Sequence, residues 1–301
     1  MPVKQVVLVT GASTGFGRLI AETLARHGHT VFATMRDPSG RNAANASEIR
    51  ALAGRESLPV HVLELDVTNE ASVDRAVRSV VDQAGRLDVA INNAGYVVDG
   101  LMEAVTLEQA HQLMDTNFFG SVRVNRTVLP HMRKQRSGLL LHVSSGAGRV
   151  VLPAFGLYCA SKFALEALAE TYHYELAAQG IDSVIVEPGP YQTAVFGNIV
   201  LAADKSRTDT YGSANRISAK VNAALAASAG NPQEVADAVL SIVETPAGQR
   251  QLRYRISPTN LGLDEINEIN AVSARIQAHA LANFGLTAET SFVQRGAAGS
   301  A

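Results

Sequence analysis

The sequence predicts a doubly wound parallel α/β sheet with helices on both of its faces. Two observations support this fold class. Short apolar runs alternate with longer amphipathic segments for six rounds between residues 6 and 186, and such alternation favours parallel strands joined by right-handed crossovers. The short runs are apolar throughout rather than at every second residue, as in strands that are covered on both faces.

The predicted strands are short runs rich in β-branched and other apolar residues. They lie at 6–10, 30–34, 60–64, 89–92, 139–143 and 183–186. The spacing of apolar residues predicts helices between them, at about 18–27, 70–84, 106–135 and 163–178. In the helix at 70–84, for example, Val73, Val77 and Val80 fall on one face, which we expect to be buried.

After Pro188 the alternation stops. Residues 191–231 are rich in small and polar side chains and have no strand pattern, so we interpret them as a mobile segment that covers a substrate. Helices are predicted again at 232–244 and 264–283, with a late strand at 251–256. No linker rich in Pro, Gly or Ser divides the chain, and we therefore expect a single domain over 1–290 and a disordered tail over 291–301.

The composition excludes several classes of protein. The chain has 301 residues, with 26 Lys and Arg against 28 Asp and Glu, a balance that argues against nucleic acid or an anionic membrane as a partner. Its single cysteine, Cys159, excludes an internal disulfide framework, and the eight histidines lack the spacing of metal ligands. No apolar run reaches the ~18–20 residues of a membrane-spanning helix. We expect a cytoplasmic protein with no metal site and no membrane span.

A glycine-rich turn at 10–17 directly follows the first predicted strand and opens the first helix. In that position a pyrophosphate can approach the backbone N–H groups at the positive end of the helix, provided that no side chain blocks it. The glycines fall at 11, 15 and 17, which departs from the G-x-G-x-x-G dinucleotide fingerprint. Taken alone, the pattern therefore leaves open a tight turn without a ligand.

Further motifs follow in order along the chain: Asp-Val at 66–67, Asn-Asn-Ala-Gly at 92–95 and Pro-Gly at 188–189, with Thr193 close behind. Together with the TGxxxGxG turn they resemble the short-chain dehydrogenase/reductase family, whose members have a Rossmann fold and bind a nicotinamide cofactor. The resemblance covers roughly residues 3–193. It implies cofactor contacts from Gly11, Ser13, Gly15, Phe16, Gly17, Asp66, Val67, Asn93, Ala94, Gly95, Tyr158, Lys162, Pro188, Gly189 and Thr193.

The end of the second strand favours NADP(H) over NAD(H). An NAD site usually has a carboxylate there that binds the ribose 2′-OH. By the resemblance, Met35 takes that place and Arg36 follows it, so that a guanidinium can meet a 2′-phosphate. Ser13 can add a hydroxyl donor. The alternative is that Arg36 is a solvated surface residue paired with the adjacent Asp37.

Tyr158 and Lys162 form a YxxxK motif, and residues four apart share one face of a helix. An isolated pair of this kind is most often an ordinary surface pair, but this one follows the fifth strand and a serine-rich turn. A tyrosine with the reference pKa of ~10 exchanges protons poorly near neutrality, and we expect the lysine ammonium to lower that pKa. In the resemblance, Tyr158 is the acid or base and Lys162 binds the nicotinamide ribose.

The resemblance completes a catalytic tetrad with Asn117 and Ser145. The family's catalytic serine precedes its tyrosine by thirteen residues, which selects Ser145 over Ser144, and strand alternation also directs these two side chains apart. The Ser145 hydroxyl is expected to bind the substrate oxygen. Asn117 is expected to hold a water that links the lysine to a proton relay. Cys159 is interpreted as a buried, inert thiol.

These features predict an NADP(H)-dependent oxidoreductase that interconverts a carbonyl and an alcohol on a hydrophobic small molecule. The stretch at 31–37 is similar to the hydroxysteroid and retinol-reductase branch of the family. Candidate substrate residues, mostly apolar, are Val97, Phe155, Tyr191 and Phe196. A homodimer or homotetramer is expected through the helices at 106–135 and 163–178. The alternatives are a non-catalytic NADP(H)-sensing or scaffold protein of the same fold and, less favoured, an epimerase or dehydratase.

Overall fold

Seven parallel strands form the central sheet of the computed structural model, which describes residues 3–193, 199–259 and 262–292. Their spatial order is β3-β2-β1-β4-β6-β7-β9, so that the predicted doubly wound α/β sheet is confirmed. The strands are β1 (Val6–Val9), β2 (Thr30–Met35), β3 (Val60–Glu64), β4 (Val89–Asn92), β6 (Gly138–Val143), β7 (Ile181–Pro188) and β9 (Arg253–Ile256). Two further strands, β5 (Val98–Asp99) and β8 (Val200–Leu201), pair with each other outside this sheet.

Helices cover both faces of the sheet. In chain order they are α1 (Gly15–Arg26), α2 (Ala43–Glu56), α3 (Glu70–Ala84), α4 (Leu107–Met114), α5 (Gly120–Gln135), α6 (Gly156–Ala177), α7 (Lys205–Asp209), α8 (Ile217–Ala227), α9 (Gln233–Glu244) and α10 (Leu263–Asn283). Within the described ranges, no helix has both the length and the apolar character needed to cross a bilayer.

Alternate residues of the buried strands enter two different cores. Val7 of β1 and Leu141 of β6 pack with α1 and α9 on one face. Leu8 and Leu140, which adjoin Val7 and Leu141 in the same strands, pack with α3 and α5 on the opposite face of the sheet. Because both faces of the sheet are covered, every position in these strands is buried, which explains why the runs are apolar throughout.

Two predictions of local structure were wrong. The helix expected over 106–135 is interrupted by a π-helical turn, Asp115–Phe119, between α4 and α5. The segment at 191–231, for which the sequence shows no strand pattern, contains the short strand β8 together with α7 and α8 in its described part. This segment obtains its order from contacts with the rest of the protein. The buried Asp99 carboxylate accepts hydrogen bonds from Ser218 (2.8 Å) and Asn222 (2.6 Å), which fasten α8 to β5.

Candidate active site

A cavity of about 1400 Å³ opens at the carboxyl ends of β1, β4, β6 and β7. The chain runs from β1 to β2 on one side and later returns to β4 on the other side of β1. Ligands of open α/β sheets bind in the crevice at such a point, because the loops after the two neighbouring strands diverge there. Most residues predicted from the sequence to contact a cofactor line this cavity.

The glycine-rich turn packs tightly against the end of β4. A Cβ atom on Gly11, where φ is +65°, would lie 2.9 Å from the Cα atom of Ala94, and one on Gly17 would lie 2.4 Å from Nδ2 of Asn93. Asn93 donates from that amide to the carbonyl oxygens of Thr10 (2.9 Å) and Gly11 (3.1 Å). Asn93 therefore shapes the turn as well as lining the cavity.

The amino terminus of α1 is open to a ligand. Its N-cap residue, Thr14, makes no side-chain capping hydrogen bond, so the first N–H groups of the helix have no partner from that side chain. Gly11, Ser13, Gly15 and Phe16 line the cavity here. Uncapped N–H groups at the positive end of a helix are suited to bind a phosphate.

At the β2 end of the cavity, two arginines line the wall. The side chain of Arg36 is exposed, and no ion pair joins these two described residues, Arg36 and Asp37. The Asp37 carboxylate accepts a hydrogen bond from the backbone N–H of Arg41 (2.8 Å). Arg41 is the second arginine, and it was not predicted from the sequence. The only feature of the sequence that could have indicated it is a basic residue in the loop after Arg36. Met35 is buried against Ala46 and Ile49, so its side chain packs in the core.

The Asp-Val pair at 66–67 and the segment after β7 also line the cavity. Asp66 and Val67 line the cavity, as do Ala94 and Gly95 of the 92–95 motif. Thr193 returns to the glycine turn, where its Cβ atom lies 3.7 Å from the Cβ position of Gly15. The residues Pro188 and Gly189 form the neighbouring wall, and the Gly189 N–H donates to Ile256 of β9 (2.7 Å).

Tyr158 and Lys162 lie together at the other end of the cavity. The Nζ atom of Lys162 is 5.7 Å from the centre of the Tyr158 ring, and it donates a hydrogen bond to the carbonyl oxygen of Val143 at the end of β6 (2.9 Å). Lys162 is only 5% exposed. Burial lowers its pKa to about 8, against the opposing effect of the Glu166 carboxylate one turn along α6.

The pKa of Tyr158 differs from the sequence-based expectation. Burial raises it to about 12, with a hydrogen bond from Ser145 acting in the opposite direction. The expected lowering of this pKa is therefore wrong, because desolvation of the buried phenolate is the largest effect on it. Tyr158 is consequently protonated throughout the neutral range, which suits a proton donor.

The two serines after β6 have different surroundings. Ser145 lines the cavity with Tyr158, and its Oγ atom accepts a hydrogen bond from the backbone of Ala147 (3.1 Å). Ser144 is buried, and its Oγ atom points toward α6. A Cβ atom on Gly148 would lie 2.7 Å from that Oγ atom and 2.8 Å from Oε1 of Glu166. Both residues line the cavity, but the Oγ atom of Ser144 is buried.

Asn117 lies behind the cavity, in the π-helical turn. Its side chain exchanges hydrogen bonds with the backbone of Tyr96 (3.0 Å each) and donates to Ser161 (3.1 Å). A Cβ atom on Gly95 would lie 3.1 Å from Asn117 Oδ1 and 3.8 Å from Lys162 Nζ, so both side chains reach the underside of Gly95. π-Helical turns are frequent at functional sites, since they re-aim a side chain within a helix.

The wall near Tyr158 is apolar. Val97 and Phe155 are buried there in one cluster with the Tyr158 ring, against which Val221 and Leu225 of α8 pack. The buried Cys159 thiol belongs to the same cluster, and burial raises its pKa. The residues that the sequence analysis missed on this wall are Leu152, Ile199 and Leu225, which only the folding of the chain brings together.

The two remaining residues that were predicted to contact the substrate are Tyr191 and Phe196. Tyr191 touches the cavity but belongs mainly to the core, where its ring packs edge-on against Phe16 and its hydroxyl donates to Glu234 (3.0 Å). Its polar group is therefore directed toward α9. Phe196 lies outside the described residues.

A buried histidine under the cavity makes stability depend on pH. Neither ring nitrogen of His142 has a hydrogen-bond partner, and burial together with the Lys162 charge lowers its pKa to about 3. As pH falls below 6.5, the unfolded chain binds a proton that the folded protein cannot, so stability is lost by about 1.4 kcal/mol per pH unit. We expect this residue alone to cost about 2 kcal/mol between pH 7.5 and 5.

Urea unfolding of His142→Gln at both pH values tests this expectation. The amide does not titrate, so the loss of stability between pH 7.5 and 5 should be about 2 kcal/mol smaller than in the wild type. Comparing each protein with itself removes any pH-independent cost of the substitution. His279→Gln, at an exposed position of α10, is the control and should leave the wild-type pH dependence unchanged. An equal dependence in His142→Gln would contradict the assignment.

A family model described as short chain dehydrogenase matches residues 5–203, more than half of the chain. The chain belongs to the short-chain dehydrogenase family. The 3-ketodihydrosphingosine reductase of Bacteroides thetaiotaomicron is 35% identical over 239 residues, which cover 79% of this chain and 83% of that protein. Human retinol dehydrogenase 8 is 33% identical over 265 residues, covering 84% of this chain and 83% of the human protein.

The structure agrees with this assignment to the short-chain dehydrogenases. It resembles a solved short-chain dehydrogenase from Streptomyces avermitilis with a TM-score of 0.74 at 30% identity, over 95% of this chain and 99% of the other. Members of the family are oxidoreductases whose fold holds a nicotinamide cofactor. The cavity of this member fits such a dinucleotide, because the amino terminus of α1 offers uncapped N–H groups and the glycine turn leaves no room for side chains.

Proposed function

We propose that this short-chain dehydrogenase is an NADP(H)-dependent enzyme that interconverts a carbonyl and an alcohol on an apolar small molecule. The observation that carries the proposal is that arginines line one end of the cavity and the candidate catalytic side chains line the other. Arg36 and Arg41 line it near the end of β2, and Ser145, Tyr158 and Lys162 line it near the end of β6. Three strand spacings separate β2 from β6, about 14 Å, which suits a dinucleotide extended between the two ends.

The bound nicotinamide supplies the hydride, and the protein supplies the proton and the positioning. Tyr158, protonated because burial raises its pKa, donates its proton to the carbonyl oxygen in the reducing direction. The Ser145 hydroxyl donates a hydrogen bond to the same oxygen and stabilises its developing charge. The Lys162 ammonium lies close enough to favour the phenolate that remains, and its N–H groups not bound to Val143 are free for a ribose hydroxyl.

Asn117 and the relatives give further support. The hydrogen bonds of Asn117 to Tyr96 and Ser161 hold the π-helical turn against α6, next to Lys162; a water bound there would connect the lysine to solvent.

The similar proteins named above act, by their names, on a keto sphingoid base and on retinol. Both compounds combine a carbonyl or alcohol group with a long hydrocarbon part, which suits the apolar wall around Val97 and Phe155.

The experiment that tests the function is NADPH oxidation in the presence of apolar ketones and aldehydes of increasing length. We expect turnover with members of this panel, followed by absorbance at the NADPH band. Tight NADPH binding with no turnover on any member would favour the alternative, a cofactor-sensing or scaffold protein. The catalytic side chains near β6 argue against that alternative, since cofactor binding alone does not require Ser145 and Tyr158 to meet.

The cofactor preference gives a separate prediction. Arg36→Ala and Arg41→Ala should each raise KM for NADPH by roughly 10–100-fold, the loss of one charge-assisted hydrogen bond. KM for NADH should change little, because NADH has no 2′-phosphate. Arg26→Ala is the matched control, since Arg26 pairs with Glu56 on the protein surface. Equal KM values of the wild type for NADPH and NADH would contradict the proposed role of the arginines.

A further inference from the structure

Two arginines of β9, Arg253 and Arg255, lie on the same side of the sheet, because they are two residues apart in one strand. The first, Arg253, is enclosed by carboxylates. Its Nε atom lies 3.1 Å from Glu166 and 3.5 Å from Glu187, and its Nη2 atom lies 2.6 Å from Glu170. The hydrogen-bonding capacity of Arg253 is thus used within the protein.

The second arginine, Arg255, has no such partners. Its Nε and Nη1 atoms are buried without a hydrogen bond, and no carboxylate of the described residues forms an ion pair with it. Arg255 pairs in strand register with Glu187 on β7. Neither oxygen of the Glu187 carboxylate makes a hydrogen bond. Burial and the neighbouring Glu166 raise the pKa of Glu187 to about 7, so near neutrality Glu187 balances the Arg255 charge only in part.

The position of Arg255 connects it with the active site. A Cβ atom on Gly146 would lie 2.9 Å from Nη1 and 3.2 Å from Nη2 of Arg255, so the guanidinium lies directly against this glycine. Gly146 follows Ser145, and Arg255 lines the cavity with both of them. The glycine leaves the guanidinium room to approach the segment that carries the catalytic serine.

The other basic side chains of the described cavity wall have roles already. Arg36 and Arg41 lie near β2, and Lys162 accompanies Tyr158. Arg255 is the remaining one, and it lies against Gly146, next to Ser145. Arg255 is partly exposed where it lines the cavity, and a guanidinium N–H that reaches the cavity can donate a charge-assisted hydrogen bond to a carboxylate.

We propose that Arg255 binds a carboxylate of the substrate, a few bonds from the carbonyl that is reduced. The inference rests on the proposed function and narrows its substrate class to apolar oxo acids. The hydrocarbon part lies against Val97, Phe155 and Leu225, and the carboxylate lies against Arg255. Neutral ketones of the same length are poorer substrates, because they leave the guanidinium unpaired.

The test compares 4-oxooctanoate with its methyl ester, which has the same carbon chain without the charge. In the wild type we expect kcat/KM for the acid to exceed that for the ester by roughly 10–100-fold, as for one charge-assisted pair. Arg255→Met should remove this preference by lowering kcat/KM for the acid alone, and Arg255→Lys should retain part of it. Arg41→Met is the matched control, expected to raise KM for NADPH while preserving the preference for the acid.

Other outcomes overturn the proposal in distinguishable ways. A wild type that uses the ester as well as the acid would exclude a carboxylate site. Equal losses on both compounds in Arg255→Met would assign Arg255 to cofactor binding if KM for NADPH rises, and to structure if the melting temperature falls instead. If the wild type reduces no carbonyl compound, the proposed function fails, and thermal stabilisation then decides the anion site. Stabilisation by 4-oxooctanoate that Arg255→Met abolishes would support the site, and its absence would overturn it.

Discussion

Replacement of Tyr158 by phenylalanine should lower kcat for carbonyl reduction by roughly 10²–10⁴-fold, the usual contribution of a positioned proton donor. The substitution removes one oxygen atom from the half-buried ring in the cluster with Val97 and Phe155, so packing should be preserved. NADPH should still bind, because the glycine turn, Arg36 and Arg41 are untouched. The measurement is steady-state NADPH oxidation with the best ketone of the panel, together with NADPH affinity from fluorescence.

Tyr174→Phe is the matched control for this substitution, since Tyr174 lies on the same helix and outside the cavity wall. We expect its turnover to equal that of the wild type. Full turnover in Tyr158→Phe would show that the proton comes from another group, and the mechanism would then be wrong. A loss of NADPH affinity equal to the loss of turnover would instead indicate that the hydroxyl acts in cofactor binding.

Replacement of Arg253 by methionine should destabilise the protein by about 3–5 kcal/mol, the cost of leaving buried charges without their partner. Glu166 and Glu187 are almost completely inaccessible to solvent, and Arg253 is the cation that both approach. The measurement is the free energy of unfolding in urea. Arg26→Met, which breaks the exposed pair with Glu56, is the control and should cost at most about 1 kcal/mol.

The pH dependence of this loss provides a second readout. Without Arg253, the folded protein can relieve the repulsion only by protonating the carboxyl groups, so their pKa values in the folded state rise further above the unfolded values. A raised folded pKa contributes stability at low pH that is lost as pH rises. The deficit of Arg253→Met should therefore be smaller at pH 5.5 than at pH 8. A deficit under 1 kcal/mol at both values would show that the cluster does not depend on Arg253.

The sequence predicted the strands correctly, because strands that are covered on both faces of the sheet are apolar along their whole length. Each of the six predicted strands is present, as is the late strand at 253–256. The helix α2 was not predicted, because its buried positions, Ala46, Ile49 and Leu52, are few and partly small. The π-helical turn at 115–119 was also not predicted, since a shift in backbone hydrogen bonding leaves the apolar pattern almost unchanged.

The residues that line the cavity could be predicted from the sequence to a similar extent. The family resemblance implied catalytic roles for Ser145, Tyr158 and Lys162 and a cofactor-binding role for the glycine turn. The structure brings them to one cavity, because the carboxyl ends of parallel strands lie at one edge of a sheet. Arg41 and Arg255 were not predicted. Each stands in a stretch with no motif, and their approach to the cavity depends on loop conformation and on the pairing of β9 with β7.

The sequence by itself determined the parallel α/β architecture, the family resemblance and the residue types at the catalytic positions, since these depend on local patterns and on chain order. The tertiary structure alone decided the electrostatics. Burial holds Tyr158 protonated and lowers the pKa of Lys162, against the sequence-based expectation that the lysine would lower the tyrosine's pKa. It also encloses Arg253 with carboxylates while leaving Arg255 without hydrogen bonds. The physical reason is that desolvation and charge pairing depend on distances between residues remote in the chain, which no local pattern records.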